Sequence, residues 1–253
     1  MDYTAYTAPN GLILHTIKTP ASNIKLLNLQ KNSALVGSDY YGINGGWFNM
    51  STGFNDKRTL NLAYCDGAPV GPTDELSDDG IIRDGSTNCV GKQALSFREN
   101  LLRFHDEEVI YASELPLLNK QGAWVQGGII MHLGRQSDWA LELNDWGYRS
   151  YSEQNGWSAI VGDLWTADIY LFVMRSATNA KNLALRDFRA GIMAYFGLAE
   201  NETGYDRYGC MLLDSSSSSQ MRAVSSSGST VRVYNTNEKR PLCQIIALRD
   251  PDL

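Results

Sequence analysis

The segment 210–221 constrains the fold more than any other part of the sequence. Four apolar residues run into a single carboxylate, Asp214, and five serines follow it directly. An apolar run with polar borders predicts a short buried strand. Because the serines cannot extend a hydrophobic core, the chain is expected to turn there, with Asp214 at the carboxyl end of the strand. Such junctions often carry binding or catalytic groups, although a strand followed by a solvated serine linker fits the same pattern.

The composition is that of an ordinary globular protein. Hydrophobic residues make up 43% and charged residues 20% of the 253 residues, close to the usual values. An aromatic content of 10% together with 23 glycines favours a fold rich in strands and loops, with an aromatic-lined cleft. No linker is long enough to divide the chain. We therefore expect a single α+β domain over residues 1–253, with a large mixed β-sheet core and few helices.

The net charge, the lack of a long apolar stretch and the first residues of the sequence argue against several classes of partner and location. A net charge of -6 argues against general binding to nucleic acid or to an anionic membrane. No uninterrupted apolar stretch approaches the ~18 residues that suggest a membrane span. The first residues lack the basic and apolar regions of a signal peptide, which favours a cytoplasmic or phage-borne protein over a secreted one.

The sequence contains no motif that requires a metal or a cofactor. The four cysteines are widely spaced and form no CxxC pair, which argues against a zinc knuckle or a redox motif. We therefore predict no cofactor and no metal ligands, while a calcium ion bound by carboxylates stays open.

A first pair of glycines lies next to polar and aromatic residues in Asn44, Gly45, Gly46 and Trp47. Glycine permits close approaches that a β-carbon forbids, so both glycine N–H groups are candidates for contact with an anion. Asn44 both donates and accepts hydrogen bonds, and Trp47 is a candidate stacking surface for a sugar. A tight turn with a buried aromatic pair is the alternative, and the segment taken alone favours it.

A second pair, Gly127 and Gly128, lies within an apolar stretch. Glycine inside a strand often marks a bulge or the close approach of another group. His132 follows four residues later as a candidate proton-transfer group, with a structural histidine as the alternative. Arg149 is the basic residue of interest in the polar and aromatic segment 135–157, which is expected to be a surface excursion or a lid.

Several further elements follow from the hydrophobic pattern. Residues 182–198 show apolar side chains at helical spacing, which predicts a helix capped by Asn179 or Asn182 and ended by Gly197. Period-two patterns and short apolar runs predict strands, of which two sets are expected to pair: 11–18 with 24–29, and 158–163 with 169–174.

The order of these segments resembles that of the phosphodiester glycosidase family. That family has an Asn-Gly-Gly-Phe-Phe segment, a later Gly-Gly-Pro, an Arg-Thr-Ala segment and a Leu-Asp-Gly-Gly-Gly-Ser-Ser segment near the end. In this chain the corresponding segments are 43–48, 127–128, 158–162 and 212–218. The resemblance spans roughly residues 40–222, and its first and last motifs are the specific ones.

The resemblance implies a hydrolase that releases a sugar from a sugar 1-phosphodiester carried by a small molecule or a glycan. Asp214 would act as a base or as an electrostatic stabiliser of the anomeric centre, and Asn44 would orient the substrate. Backbone N–H groups would hold the phosphodiester. The further candidates, in decreasing strength, are Asp163 as a second carboxylate and then His132 and Arg149. The substrate-binding candidates are Gly45, Gly46, Trp47, Gly127, Gly128, Arg149, Ser215, Ser216, Ser217 and Ser218, of which Gly45, Gly46 and the 215–218 turn would hold the phosphodiester.

Some positions differ from the family pattern and keep other functions open. Ser215 and Ser216 stand where the family has glycines, Ile129 where it has proline, and Trp157 where it has arginine. These differences favour a carbohydrate- or nucleotide-sugar-binding module that lost catalysis. A structural component of a phage or a cell surface is a third possibility.

Overall fold

In the part of the chain that the structure describes, the fold consists of three β-sheets and two α-helices. The computed structural model describes residues 1–30, 32–47, 62–70, 93–105, 120–145, 156–174, 184–201, 206–215, 218–234 and 240–253. The helices are α1 (Gln136–Asp145) and α2 (Leu185–Phe196). The strands are β1 (Asp2–Thr7), β2 (Ile13–Pro20), β3 (Ile24–Asn28), β4 (Gly42–Asn44), β5 (Ala63–Cys65), β6 (Ala68–Pro69), β7 (Ala94–Arg98), β8 (Leu101–His105), β9 (Trp124–Gly127), β10 (Ile129–Ile130), β11 (Trp157–Asp163), β12 (Asp168–Met174), β13 (Tyr208–Leu212), β14 (Gln220–Val224), β15 (Thr230–Tyr234) and β16 (Gln244–Leu248).

The six-stranded sheet contains the strand that leads to Asp214. Its order is β1-β2-β12-β11-β13-β10. Strand β13 lies between β11 and β10, with Leu212 opposite both Ala159 and Ile129. The predicted pairing of 158–163 with 169–174 is confirmed as the antiparallel ladder of β11 and β12. Asp214 therefore follows a central buried strand, where the apolar run predicted it.

The other two sheets have five strands each, in the orders β15-β14-β4-β16-β3 and β6-β5-β9-β7-β8. Strand β4, which carries Asn44, lies between β14 and β16 in the first of them. Strand β9 ends at Gly127 in the other, and the chain then enters the six-stranded sheet as β10. The two glycine pairs of the sequence thus reach the Asp214 strand from different sheets.

Alternate residues of the six-stranded sheet contribute to two separate hydrophobic clusters. Ile160 and Met211 lie in the cluster shared with the other sheets. Ala159 and Leu212 lie in a second cluster that includes Phe188 of α2. This division follows from the period-two alternation of side chains along a strand, and it explains why β11 and β13 read as continuous apolar runs.

Helix α2 confirms most of the predicted helix. The Asp187 carboxylate accepts a hydrogen bond of 2.9 Å from the N–H of Ala184, the residue before the first turn. The helix ends at Gly197, whose φ of 67° is left-handed, as the sequence predicted. Asn179 and Asn182, the predicted caps, lie outside the described residues.

The strand-rich α+β architecture with few helices is confirmed, whereas the single large mixed sheet is not observed. Every strand pairing in the described part of the chain is antiparallel and belongs to one of three sheets. None of the described helices has the length and apolar character needed to cross a membrane.

The predicted pairing of 11–18 with 24–29 is wrong. Strand β2 pairs with β1 and β12, and β3 pairs with β16. The intervening residues form a 3-10 turn, and Asn23 at its end donates 2.7 Å to the carbonyl oxygen of Asp250. This turn carries the chain from one sheet to another, a step that the alternation within each strand does not encode.

Candidate functional site

The Asn44 side chain connects β4 to the residues after β13. Its Nδ2 lies 2.8 Å from Ser158 Oγ and 2.9 Å from the main-chain oxygen of Asp214. Its Oδ1 accepts a hydrogen bond of 3.1 Å from the N–H of Gln220. Since the side chain is 1% exposed, these bonds are made away from water. Asn44 therefore holds both ends of the serine loop that begins at Asp214.

The main chain of Asp214 is fixed from three sides. The Ser158 hydroxyl donates 2.6 Å to the Asp214 carbonyl oxygen, and the Asp214 N–H donates 3.2 Å to the Gly45 carbonyl oxygen. The N–H of Leu213 donates 2.9 Å to the Ser158 carbonyl oxygen. These contacts bring the first, third and last segments of the family-like pattern together, so that they fix the main-chain position of Asp214.

The Asp214 carboxyl group is partly removed from water. Burial raises its pKa to about 6, while hydrogen bonds from the Ser218 hydroxyl and the Ser215 N–H, and the charge of Arg240, favour the ionised form. The Ser215 N–H lies 2.9 Å from Asp214 Oδ1. A carboxyl group with a pKa near neutrality at a fixed position is suited to accept or release a proton.

Arg240 is a residue at this site that the sequence did not point to. Its Nη1 lies 3.4 Å from Ser218 Oγ, and its carbonyl oxygen accepts 2.8 Å from Gln220 Nε2. It places a positive charge beside the serine loop. No local pattern marks this arginine, because it comes 26 residues after Asp214 and lies between β15 and β16.

The N–H groups of the first glycine pair are already engaged. Gly45 N donates 2.9 Å to the Gln244 carbonyl oxygen, and Gly46 N donates 2.9 Å to Gln244 Oε1. A β-carbon on Gly45 would lie 2.6 Å from the Gln244 side chain. Glycine is therefore required here for the approach of Gln244, and in this arrangement neither N–H faces an anion as the sequence led us to expect.

The second glycine pair allows two backbones to approach closely. A β-carbon on Gly128 would lie 2.5 Å from the Leu212 carbonyl oxygen, and Gly127 N donates 2.7 Å to the Leu62 carbonyl oxygen. The close approach predicted for this pair is thus present, two residues before Asp214. The neighbouring Gln126 accepts a hydrogen bond from Gln244 Nε2, which links the two glycine segments through buried amides.

Asp163 lies at the other end of β11 from Ser158. The two are five residues apart, which at about 3.3 Å per residue is roughly 16 Å. Its carboxylate is 1% exposed and forms an ion pair of 2.6 Å with Arg207. Burial tends to raise the Asp163 pKa, but the Arg207 hydrogen bonds outweigh it and the pKa is lowered. Asp163 is a structural anion at a distance from Asp214, not a second carboxylate beside it.

His132 is also far from Asp214. It follows β10, where Met131 N donates 3.0 Å to the Cys210 carbonyl oxygen. It lines a separate cavity with Tyr208, the first residue of β13. The expected proton-transfer role next to Asp214 does not fit this position, because β13 runs away from His132 toward Asp214.

The structure describes some of the remaining candidate residues and not others. Trp47 is half-buried and packs against the second hydrophobic cluster, which also contains Trp157. Ser215 and Ser218 are buried within the serine loop. Arg149, Ser216 and Ser217 lie outside the described residues. Within the described ranges, no three His, Cys, Asp or Glu side chains come together as a possible metal site; calcium binding stays a prediction.

The fold is that of a β-rich α+β protein, with a half-buried carboxylate at the end of an internal strand. Across its whole length the chain is similar to the zebrafish N-acetylglucosamine-1-phosphodiester alpha-N-acetylglucosaminidase catalytic domain, auto-inhibited by its pro-peptide. That similarity has a TM-score of 0.61 at 14% identity and covers 98% of this chain and 81% of the other. A hypothetical protein from Synechocystis is similar with a TM-score of 0.55 at 11% identity, covering 97% and 61%.

These similarities at low identity establish a distant relationship in fold. No protein-family profile matches the sequence, and no curated protein matches it. The activity of the chain is therefore inferred from the site itself.

Proposed function

We propose that this protein is a hydrolase that cleaves the glycosyl–phosphate bond of a sugar 1-phosphodiester. The observation that carries the proposal is the Asp214 carboxyl group, which has a pKa of about 6 and is held at the end of a central strand. Its backbone is fixed by Asn44 and Ser158. The fold similarity to a catalytic domain that acts on a glycosyl phosphodiester supports the same reaction class.

In the proposed reaction, water attacks the anomeric carbon and the bond from that carbon to the phosphate oxygen breaks. The phosphomonoester leaves with the bonding electrons, and the Asp214 carboxylate takes the proton from the attacking water. A phosphate is already a good leaving group, so little acid assistance is needed. The larger demand is to stabilise positive charge on the sugar, for which a carboxylate near the anomeric carbon is suited.

Arg240 supports the phosphate-binding part of the proposal. Its guanidinium lies beside Ser218, and a guanidinium binds phosphate oxygens through paired N–H groups. The buried Ser218 hydroxyl accepts from Arg240 Nη1 and donates to the Asp214 carboxyl group, so it links the guanidinium to the carboxylate. Asn44 acts in this scheme as a positioning residue, because its carboxamide already holds the Asp214 main chain.

One observation favours a second function, a sugar-phosphate-binding module without catalysis. The N–H groups of Gly45 and Gly46 contact Gln244, so the backbone donors expected for an anion are not offered. A module of this kind would bind glycosyl phosphodiesters through Arg240 and the serine loop and leave them intact.

The two functions are distinguished by turnover. The protein is incubated with a panel of glycosyl 1-phosphate methyl diesters that differ in the sugar, and phosphorus NMR follows conversion of diester into monoester. The proposal expects turnover of at least one diester by the wild type and its loss in Asp214→Asn. Asp163→Asn is the matched control, since it removes a buried carboxylate at the other end of β11 and is expected to retain turnover. Saturable binding without turnover supports the module.

A further inference from the structure

A cavity lies at the opposite end of β13 from Asp214. It has a volume of about 200 Å³ and is open at the edge of the six-stranded sheet. Apolar side chains such as Phe104 and Leu164 form part of its wall. Its polar lining comes from His132, Arg135, Asp206 and Tyr208.

The turn that brings His132 and Arg135 into this cavity is strained and firmly held. His132 has a φ of 36°, in the left-handed region that side chains other than glycine rarely adopt. Such strain persists where the surroundings fix it, often at functional sites. Here Arg189, which is 2% exposed, donates 2.8 Å to the Met131 carbonyl oxygen and 2.6 Å to that of His132. An ion pair with Glu200 holds Arg189 in turn.

The aromatic side of the cavity is also fixed. Tyr208 stacks on Phe196 with ring centroids 4.2 Å apart. The Arg207 guanidinium lies 4.9 Å from the Tyr208 ring and 5.0 Å from the ring of Trp165. Asp163 holds that guanidinium, while Trp165 is 74% exposed. An exposed indole therefore follows Leu164 of the cavity wall, and the phenol of Tyr208 is fixed by its neighbours.

We propose that this cavity binds one neutral sugar ring, as a site separate from the Asp214 site. Sugar hydroxyl groups each donate and accept hydrogen bonds, and the lining offers both kinds of partner. Arg135, which also pairs with Asp138 at 3.3 Å, only donates, the Asp206 carboxylate only accepts, and Tyr208 does both. An anionic ligand would face the Asp206 carboxylate, so a neutral polyol fits better.

The size of the cavity limits the ligand. Pockets for drug-sized molecules occupy about 300–1,000 Å³, so the smaller volume here suits a single ring. The exposed indole of Trp165, which follows the wall residue Leu164, provides an apolar face of the kind on which a sugar ring packs, whereas the Tyr208 ring is already stacked on Phe196. The inference does not depend on the proposed hydrolysis, because none of these residues lies at the Asp214 site.

The test measures binding of free glucose, galactose, mannose and N-acetylglucosamine to the whole chain by saturation-transfer difference NMR. His132→Gly is the informative variant, because glycine accepts the left-handed backbone while the imidazole is lost. Gln30→Gly is the matched control, since Gln30 has a φ of 53° on an exposed loop away from the cavity. Tyr208→Phe removes one hydroxyl and keeps the ring.

We expect saturable binding of at least one sugar, weakened about tenfold or more by His132→Gly and by Tyr208→Phe but unchanged by Gln30→Gly and Asp214→Asn. The absence of saturable binding for every sugar overturns the proposal. Binding that survives both cavity variants and disappears in Asp214→Asn also overturns it, because the sugar then binds at Asp214. Displacement of the sugar by inorganic phosphate contradicts a neutral-ligand site.

Discussion

The Asn44 side chain donates a hydrogen bond of 2.9 Å to the main-chain oxygen of Asp214, although the two residues are 170 positions apart in the chain. A second bond joins Asn44 to Ser158, whose hydroxyl contacts the same oxygen. The central carboxylate thus depends on a buried amide from another sheet. Asn44 is therefore expected to affect the position of Asp214, and hence turnover, in addition to the stability of the fold.

Asn44→Ala is expected to lower the free energy of unfolding by about 2–3 kcal/mol, because buried partners lose their hydrogen bonds. It is also expected to reduce turnover strongly, since the serine loop loses its anchor. Asn23→Ala is the matched control: Asn23 is equally buried and holds the distant Asp250 backbone. Urea unfolding and turnover are measured for both. Equal turnover in the two variants would show that Asn44 only stabilises the fold.

The pH dependence of turnover follows from the Asp214 pKa. With a pKa of about 6, the group is protonated below that value and ionised above it. If the carboxylate takes the proton from water, kcat/KM rises through about pH 6 and then levels off. The pH range 5 to 8 spans this pKa. A kcat/KM that stays constant over that range would argue against this role for Asp214.

The same shift predicts an unusual effect on stability. The folded pKa of Asp214 is raised, so its contribution is favourable below the unfolded value near 4 and is lost as pH rises through about 6. Asp214→Asn is therefore expected to raise the free energy of unfolding by about 1–3 kcal/mol at pH 8 and to have little effect at pH 4. Chemical denaturation at the two pH values measures the difference.

Asp163→Asn is expected to act in the opposite direction. Its folded pKa is lowered by Arg207, so the ionised form stabilises the fold above the unfolded pKa and this contribution is lost as pH falls. The variant should lose about 1–2 kcal/mol at pH 8, and less at low pH. A stabilising Asp163→Asn would contradict the ion pair seen here.

Gly128→Ala tests the close approach next to Asp214. Its β-carbon would lie 2.5 Å from a main-chain oxygen, so one of the two backbones must move. We expect a loss of about 2–4 kcal/mol together with reduced turnover. Gly37→Ala is the control, because nothing lies within 4 Å of its β-carbon and its stability should change little. Similar Tm values for both variants would argue against the close packing of Gly128 on the Leu212 backbone.

Two substitutions of Arg240 separate the effect of its positive charge from the effect of its planar guanidinium. Arg240→Ala should raise KM for a glycosyl phosphodiester by about tenfold or more, as expected for the loss of a phosphate contact. It should also move the midpoint of the pH profile upward, because the positive charge favours the ionised Asp214. Arg240→Lys keeps the positive charge, so the midpoint of the pH profile is expected to stay in place. Its KM should lie between those of the wild type and Arg240→Ala, since a lysine ammonium cannot form the two parallel hydrogen bonds that a guanidinium makes to phosphate. An unchanged KM in both variants removes Arg240 from the site.

Local pattern alone determined much of this protein. The apolar run before Asp214 predicted a buried strand, and Gly197 marked the end of α2, because side-chain periodicity and glycine conformation act over a few residues. Only the tertiary structure decided which strands pair, that Gln244 occupies the N–H groups of Gly45 and Gly46, and that Arg240 stands beside Asp214 while Asp163 does not. Those contacts join residues far apart in the chain, and they arise from the way three sheets pack together.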